Sequence, residues 1–170
     1  MLVEAALILP FVIALLFGII DFGFTYNDWI SVRQGGRDGL RQAIVKTNPT
    51  PPSGSWNCPG GAGAPTAATN PDGLAIMCFT KLRVGLDQSK TIVKLNFTAP
   101  LTAGQPVKIC VQYRTGSVTR AYASLLDNKV LDTEVESLAE QSSTIGTFTE
   151  TSWPDGNTTP VNWSASCSQL

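Results

Sequence analysis

The sequence contains no histidine. That excludes Ser-His-Asp and Cys-His catalysis, histidine-ligated metal sites and imidazole pH switching. It has no CxxC-type spacing of the kind a zinc site uses, although it has four cysteines. It has little net charge, −1 at neutral pH, so nothing in its overall electrostatics favours nucleic acid. Its first twenty residues lack any basic side chain and carry a single charge, Glu4. The averages, 43% hydrophobic and 15% charged, therefore conceal two unlike parts. One is a membrane-type segment and the other a more polar domain.

Ala5 to Ile20 reads AALILPFVIALLFGII, sixteen uncharged residues. A spanning helix needs about 20 apolar residues to cross a hydrocarbon core of ~30 Å. Met1 to Ile20 reaches that length if Glu4 is accepted near one end. Asp21 closes the run, but the helical pattern continues through Phe22, Phe24, Tyr26, Trp29, Ile30, Val32, Leu40, Ile44 and Val45, and the next proline is Pro49. The pattern predicts one helix from about Leu2 to about Lys46. At a rise of 1.5 Å per residue its length is roughly 65 Å, so its second half must leave the membrane and pack on something. Gly35, Gly36 and Gly39 are expected weak points where it bends. A secretory signal fits poorly, because a basic leading region and an A-x-A-like site are both missing. A plain anchor conflicts with the positive-inside rule: Arg33, Arg37, Arg41 and Lys46 all follow the span, yet the cysteines beyond it favour export. Loss of a basic leader would resolve that conflict.

Leu2 to Gly23, LVEAALILPFVIALLFGIIDFG, resembles the N-terminus of TadE-like proteins of the tight-adherence (Tad/Flp) pilus system. The residues that carry the resemblance are Val3-Glu4, Leu9-Pro10 and Phe17-Gly18-Ile19-Ile20-Asp21-Phe22-Gly23. Arg33 to Arg41, RQGGRDGLR, resembles a further stretch of that family, and Val130 to Gln141 resembles its last strand more faintly. The resemblance implies a processed type IV-like pilin whose helix enters an apolar filament core. Leu7, Leu9, Phe11, Ile13, Leu16, Phe17 and Ile20 are then the filament-core side chains. Glu4 would pair with the amino terminus of a neighbouring subunit and set assembly register. In type IV-like pilins that glutamate is usually the fifth residue of the mature chain. Here it is the fourth, so either Met1 is not the mature terminus or the cleavage register differs. Pro10, which removes a helical donor and crowds the Ala6 carbonyl, would kink the helix. Asp21 is read as marking the exit from the bilayer. Tyr26 and Trp29 suit either an interfacial belt or packing on the head, the second being preferred. The implied partners are copies of the chain itself, other pilins, a prepilin peptidase and the inner-membrane assembly platform. No cofactor is implied. The implied location is the bacterial cell surface, after residence in the cytoplasmic membrane as a single span.

Residues 47–72 form an uncharged Pro/Gly-rich loop up to Asp72, with Cys58 inside it. Residues 73–170 form the predicted head. Gly73 to Leu82 is apolar enough to be buried, as a short helix or a strand. Thr91 to Phe97 and Gln105 to Arg114 alternate with period two and are joined by turn residues, which predicts a hairpin. Ser117 to Asp127 fits a short helix. Val130 to Gln141 fits a helix or a strand, and the family resemblance favours the strand. The expected fold class is therefore α+β: a long pilin-like N-terminal hydrophobic helix followed by a small antiparallel sheet. The Ser/Thr-rich tail is expected to form short edge strands, anchored by Trp153, Trp163 and Cys167.

Four cysteines beyond the membrane segment favour two disulfides, for which three connectivities exist. Cys58 with Cys78 and Cys110 with Cys167 is the preferred set. Asn96, Asn157 and Asn162 stand in sequons and are candidate glycosylation acceptors. Three function classes compete. A structural filament subunit serving surface adhesion leads. A single-span anchored adhesin or binding module is the alternative. A bitopic glycosidase would draw on Asp132, Glu134, Glu136 and Glu140, but their alternation fits a solvated strand face better, and no catalytic residue is assigned.

Overall fold

A computed structural model describes residues 2–45, 49, 51, 55–143, 145–163 and 167, with side chains from residue 6 onward. The elements are α1 (Leu2–Val45), α2 (Pro71–Val84), a 3-10 turn (Gln88–Lys90), β1 (Thr91–Phe97), β2 (Pro106–Arg114), α3 (Ala123–Leu126), β3 (Val130–Leu138) and β4 (Phe148–Thr149). Glu4 lies in the first turns of α1, and its side chain falls outside the described residues, as does the expected helix end at Lys46.

Helix α1 is one element through Pro10 and through Gly35, Gly36 and Gly39. Gly35 and Gly39, two of the glycines expected to be weak points, are points of close approach to α2. A β-carbon at Gly35 would fall 2.6 Å from the Val84 backbone nitrogen, and one at Gly39 would fall 2.1 Å from Thr80 Oγ1. Both contacts are with α2, which packs antiparallel on α1 at this seam. Gly36 faces the sheet, near Thr133, Val135 and Val111.

Gly73 to Leu82, open between helix and strand, is helical for local reasons. Asn70 caps α2, its Oδ1 accepting from Gly73 N–H at 2.9 Å, Pro71 fits the first turn and Gly85 ends it at φ +69°.

The sheet has the order β3-β2-β1-β4, all antiparallel. Val93, Leu95 and Phe97 stand opposite Val111, Ile109 and Val107, and this face is buried with Val32, Leu40, Ala43 and Ile44 of α1. The other face is covered as well. Cys110 is bonded to Cys167, Gln112 donates to Asn162 O at 2.8 Å and the Arg114 guanidinium lies 5.2 Å from the Trp153 ring centre. The Ser/Thr-rich tail is thus a third layer, and among its described residues only the Phe148–Thr149 segment joins the sheet as an edge strand. The second disulfide joins Cys58 to Cys78 and pins the Pro/Gly loop to α2.

The helix expected over Ser117 to Asp127 is reduced to Ala123–Leu126. Arg120 takes a left-handed φ of +61° that interrupts the helix, and the Val118 and Thr119 N–H groups before it donate to Asp21 of α1.

The Arg114–Asp155 pair yields a pH prediction. Both terminal nitrogens of Arg114 meet both oxygens of Asp155, and the arginine is buried. Partial burial pushes the Asp155 carboxyl up, but the Arg114 guanidinium and the Asn157 N–H push it down harder, leaving it below its ordinary 3.8. A depressed folded-state value stabilises the fold above the ordinary carboxylate range, and that contribution is lost as pH falls through the folded value. Asp155→Asn should therefore be less stable than the parent near neutral pH. The difference should shrink as acid passes below 3.8. Urea unfolding at about pH 7 and about pH 3 measures it, and a difference independent of pH would overturn the assignment.

Candidate functional site

The site is a surface, built from the exposed half of α1 and the head loop that grips it. Leu7, Leu9, Phe11, Ile13, Leu16, Phe17 and Ile20 are between 40% and 73% exposed. A soluble monomer does not leave such a contiguous apolar surface uncovered, so it marks a partner or a membrane. The helix is long and apolar enough to cross a membrane. It projects from the head as a bare arm, because the sheet and α2 cover only the part from about Val32 onward.

Asp21 ends the arm. Asp21, read from the sequence as marking the exit from the bilayer, has in addition a specific role in holding the head. It is 1% exposed and accepts four hydrogen bonds from the head. Ser117 Oγ and Thr119 Oγ1 donate to Oδ2 at 2.9 and 2.7 Å. The Val118 and Thr119 N–H groups donate to Oδ1 at 3.2 and 2.9 Å. A carboxylate so surrounded is paid back for its lost water. The loop is braced from behind: Asp127 Oδ1 accepts from Ser117 N–H, and Thr115 Oγ1 donates to Leu126 O at 2.6 Å.

One turn closer to the N-terminus, Tyr122 lies across the arm. Its hydroxyl donates to Ala14 O at 2.8 Å. Its ring rests on Gly18, where a β-carbon would sit 3.4–3.5 Å away, and its centre lies 6.5 Å from that of Phe22. Gly18 and Asp21, three residues apart and so on one helix face, receive the ring and the loop respectively. At the opposite end Glu140 N–H donates to Ile44 O at 3.2 Å. The head is therefore fastened to α1 near both ends of their contact, and its orientation relative to the arm is fixed.

The remaining sequence-derived residues fall as follows. Pro10 lines a shallow apolar groove with Leu9, Ile13, Phe17 and Tyr122. Tyr26 is exposed, and it stacks at 5.8 Å on Trp29, over which the Arg33 guanidinium lies at 4.8 Å. These aromatics form a surface cluster on α1 and do not pack under the head. Asn96 lies in β1 opposite Lys108, Asn157 Oδ1 accepts from Thr159 N–H and Oγ1, and Asn162 is exposed in the tail. Lys108 bridges Glu134 and Glu136 at 3.4 and 3.5 Å, as suits a solvated strand face. Among the described residues no three His, Cys, Asp or Glu groups are gathered as metal ligands would be. The pairing of Asp21 with the 117–119 donors was not foreseen. Its signal in the sequence is the hydroxyl-bearing triplet Ser117-Val118-Thr119, which matters only once the sheet brings it to the helix.

No curated protein and no solved structure matches the chain. One family model does, that of the TadE-like proteins, over residues 1–41. The match lies on α1 and covers the whole exposed arm, the Asp21 position and the glycine seam with α2. Over this segment the chain is similar to the TadE-like proteins.

Proposed function

We propose that this chain is a pilin-like subunit that assembles through its apolar arm into a Tad-type surface filament serving adhesion. The observation that carries the reading is the arm itself: a TadE-like helix whose large side chains are exposed, held at a fixed orientation to a disulfide-bonded head. Residues 1–46 would be the membrane and filament-core helix, 47–72 its connecting loop and 73–170 the extracellular head. Each large aliphatic side chain buried among neighbouring helices contributes about 1.5–3 kcal/mol. Copies of the chain, other pilins, a prepilin peptidase and the inner-membrane assembly platform are the proposed partners. The mechanism is packing, with no chemical step and no cofactor.

Glu4 is the proposed register device. Two opposite charges ~4 Å apart attract by about 4 kcal/mol at an effective dielectric near 20. Desolvation removes much of that gain, so the pair selects alignment more than it adds adhesion. Glu4→Ala should enter the membrane normally but fail to enter filaments. Fractionation and immunogold electron microscopy of the filaments read the two steps separately, and normal incorporation of the variant would remove the register role.

A further inference from the structure

We propose that the head carries a second membrane-contacting element: the lip formed by Val118, Arg120, Tyr122 and Leu125, which enters the interfacial layer of the bilayer that the arm spans. The proposal rests on the reading of α1 as a span. Leu2 to Ile20 makes roughly 28 Å of helix at 1.5 Å per residue, about the thickness of a hydrocarbon core, so none of it can be spared. Yet Tyr122 bonds to Ala14 O, seven residues or roughly 10 Å to the apolar side of Asp21. With the arm embedded and the head in place, the lip therefore lies below the plane that Asp21 defines. Interfacial elements sit about 5–10 Å into the headgroup and acyl boundary.

The lip is built for that place. Val118 and Leu125 are 60% and 58% exposed, continuing the apolar surface of the arm. The tip's one cation, Arg120, is exposed and can reach lipid phosphates while its stem stays among acyl chains. The nearby carboxylates are occupied by the loop itself, Asp21 by four donors and Asp127 by Ser117 N–H. Much of the lip's backbone N–H set is paired within the protein. Arg120 and Ala121 N–H donate to Ser117 Oγ and Thr119 Oγ1, and Leu125 and Leu126 N–H both donate to Tyr122 O. A loop that enters a low-dielectric layer must pair its donors internally.

The test uses the full chain in phosphatidylcholine–phosphatidylglycerol vesicles. A fluorophore is attached through Val118→Cys, Leu125→Cys, Ile13→Cys or Ala103→Cys, with both native disulfides verified by mass. Ala103 is an exposed turn residue beyond the far end of β2, about 27 Å of strand away from Arg114. Lipids with a nitroxide high on the acyl chain should quench positions 118 and 125 by about half, as expected of an interfacial site. Lipids with a nitroxide near the chain end should quench position 13 more strongly, and position 103 should respond to neither. If position 13 is quenched and 118 and 125 are not, the span stands and the lip is overturned. If none is quenched, the span reading fails and the lip fails with it. Quenching of 103 as well would show non-specific adsorption and overturn the lip. Positions 118 and 125 shielded from both lipid nitroxides and aqueous iodide would place a second copy on the lip and likewise overturn it.

Discussion

Lys81→Met should destabilise the head by about 3–5 kcal/mol, the cost of leaving a buried carboxylate without its cation. Lys81 and Glu150 are both fully buried, and they join four segments. Lys81 Nζ lies 2.9 Å from Glu150 Oε1 and donates to Pro59 O at 2.8 Å. Glu150 Oε1 also accepts from Gly61 N–H at 2.9 Å, and Oε2 accepts from Val93 N–H at 2.7 Å. The Pro/Gly loop, α2, β1 and the residue after β4 thus meet at one ion pair. Without the lysine, the carboxylate keeps two amide donors and loses its countercharge, while Pro59 O loses its donor.

Small domains have total stabilities of about 5–15 kcal/mol, so the variant should sit near the edge of unfolding. Urea denaturation of the full chain in non-ionic detergent, followed by tryptophan fluorescence, measures it. Lys81→Met combined with Glu150→Met should recover part of the loss, because an apolar pair replaces the orphaned charge. Recovery should stop short of the parent, since Gly61 and Val93 N–H then lack an acceptor. A single-variant loss below about 1 kcal/mol would mean that water reaches Glu150 and the pair is not the junction described.

Neither partner of this pair is conspicuous in the sequence. Lys81 sits in an apolar run, four residues after Met77 and therefore on the same buried helix face. That position is the available hint, because a lysine on a buried stripe needs a counterion. Glu150 lies in a Thr-rich tail with no periodicity, and its partners are 57 to 89 residues away in sequence. What is legible is what repeats. The arm reads from an unbroken apolar run, and β1 and β2 read from strict alternation. The fold class follows from those elements and is the one observed. The tail, by contrast, is a layer made of single anchors: Cys167 tied to Cys110, Asn162 to Gln112, and Trp153 and Asp155 both to Arg114 of β2. Isolated anchors leave no pattern. The segment from Ser117 misleads for the same reason. Its helical spacing is real, but Arg120 takes a left-handed φ of +61° that breaks it, and Val118 and Thr119 N–H serve a carboxylate nearly a hundred residues earlier.

The glycines of α1 show how the same residues carry two opposite readings. By propensity each glycine costs a helix interior about 1 kcal/mol relative to alanine, so Gly→Ala should stabilise wherever there is room. Gly23 has that room, with nothing within 4 Å of a β-carbon, and Gly23→Ala should stabilise by roughly 0.5–1 kcal/mol. At Gly35 the added carbon would lie 2.4 Å from Val84 Cγ2, 2.6 Å from its backbone nitrogen and 2.8 Å from its Cα. Rotating the valine clears only the first contact. The other two yield only if α1 and α2 move apart, and overpacking of this kind costs about 1–3 kcal/mol. Gly35→Ala should therefore destabilise despite its better propensity, and adding Val84→Ala should not rescue it. Gly39→Ala differs in kind. Its nearest neighbour is Thr80 Oγ1 at 2.1 Å, a hydroxyl that bonds to Ile76 O, so adding Thr80→Ala should restore part of the loss. Unfolding free energies of the parent, the three single glycine variants and the two doubles decide the matter. If Gly35→Ala stabilises as Gly23→Ala does, the seam is loose and the head is not held to the arm there. If it destabilises as expected, α2 must seat on Gly35 and Gly39 before the head takes its fixed angle to the arm. An arm presented at the wrong angle cannot bury Leu7 to Ile20 in register with its neighbours, so the same variant should also lower filament incorporation while leaving membrane insertion unchanged.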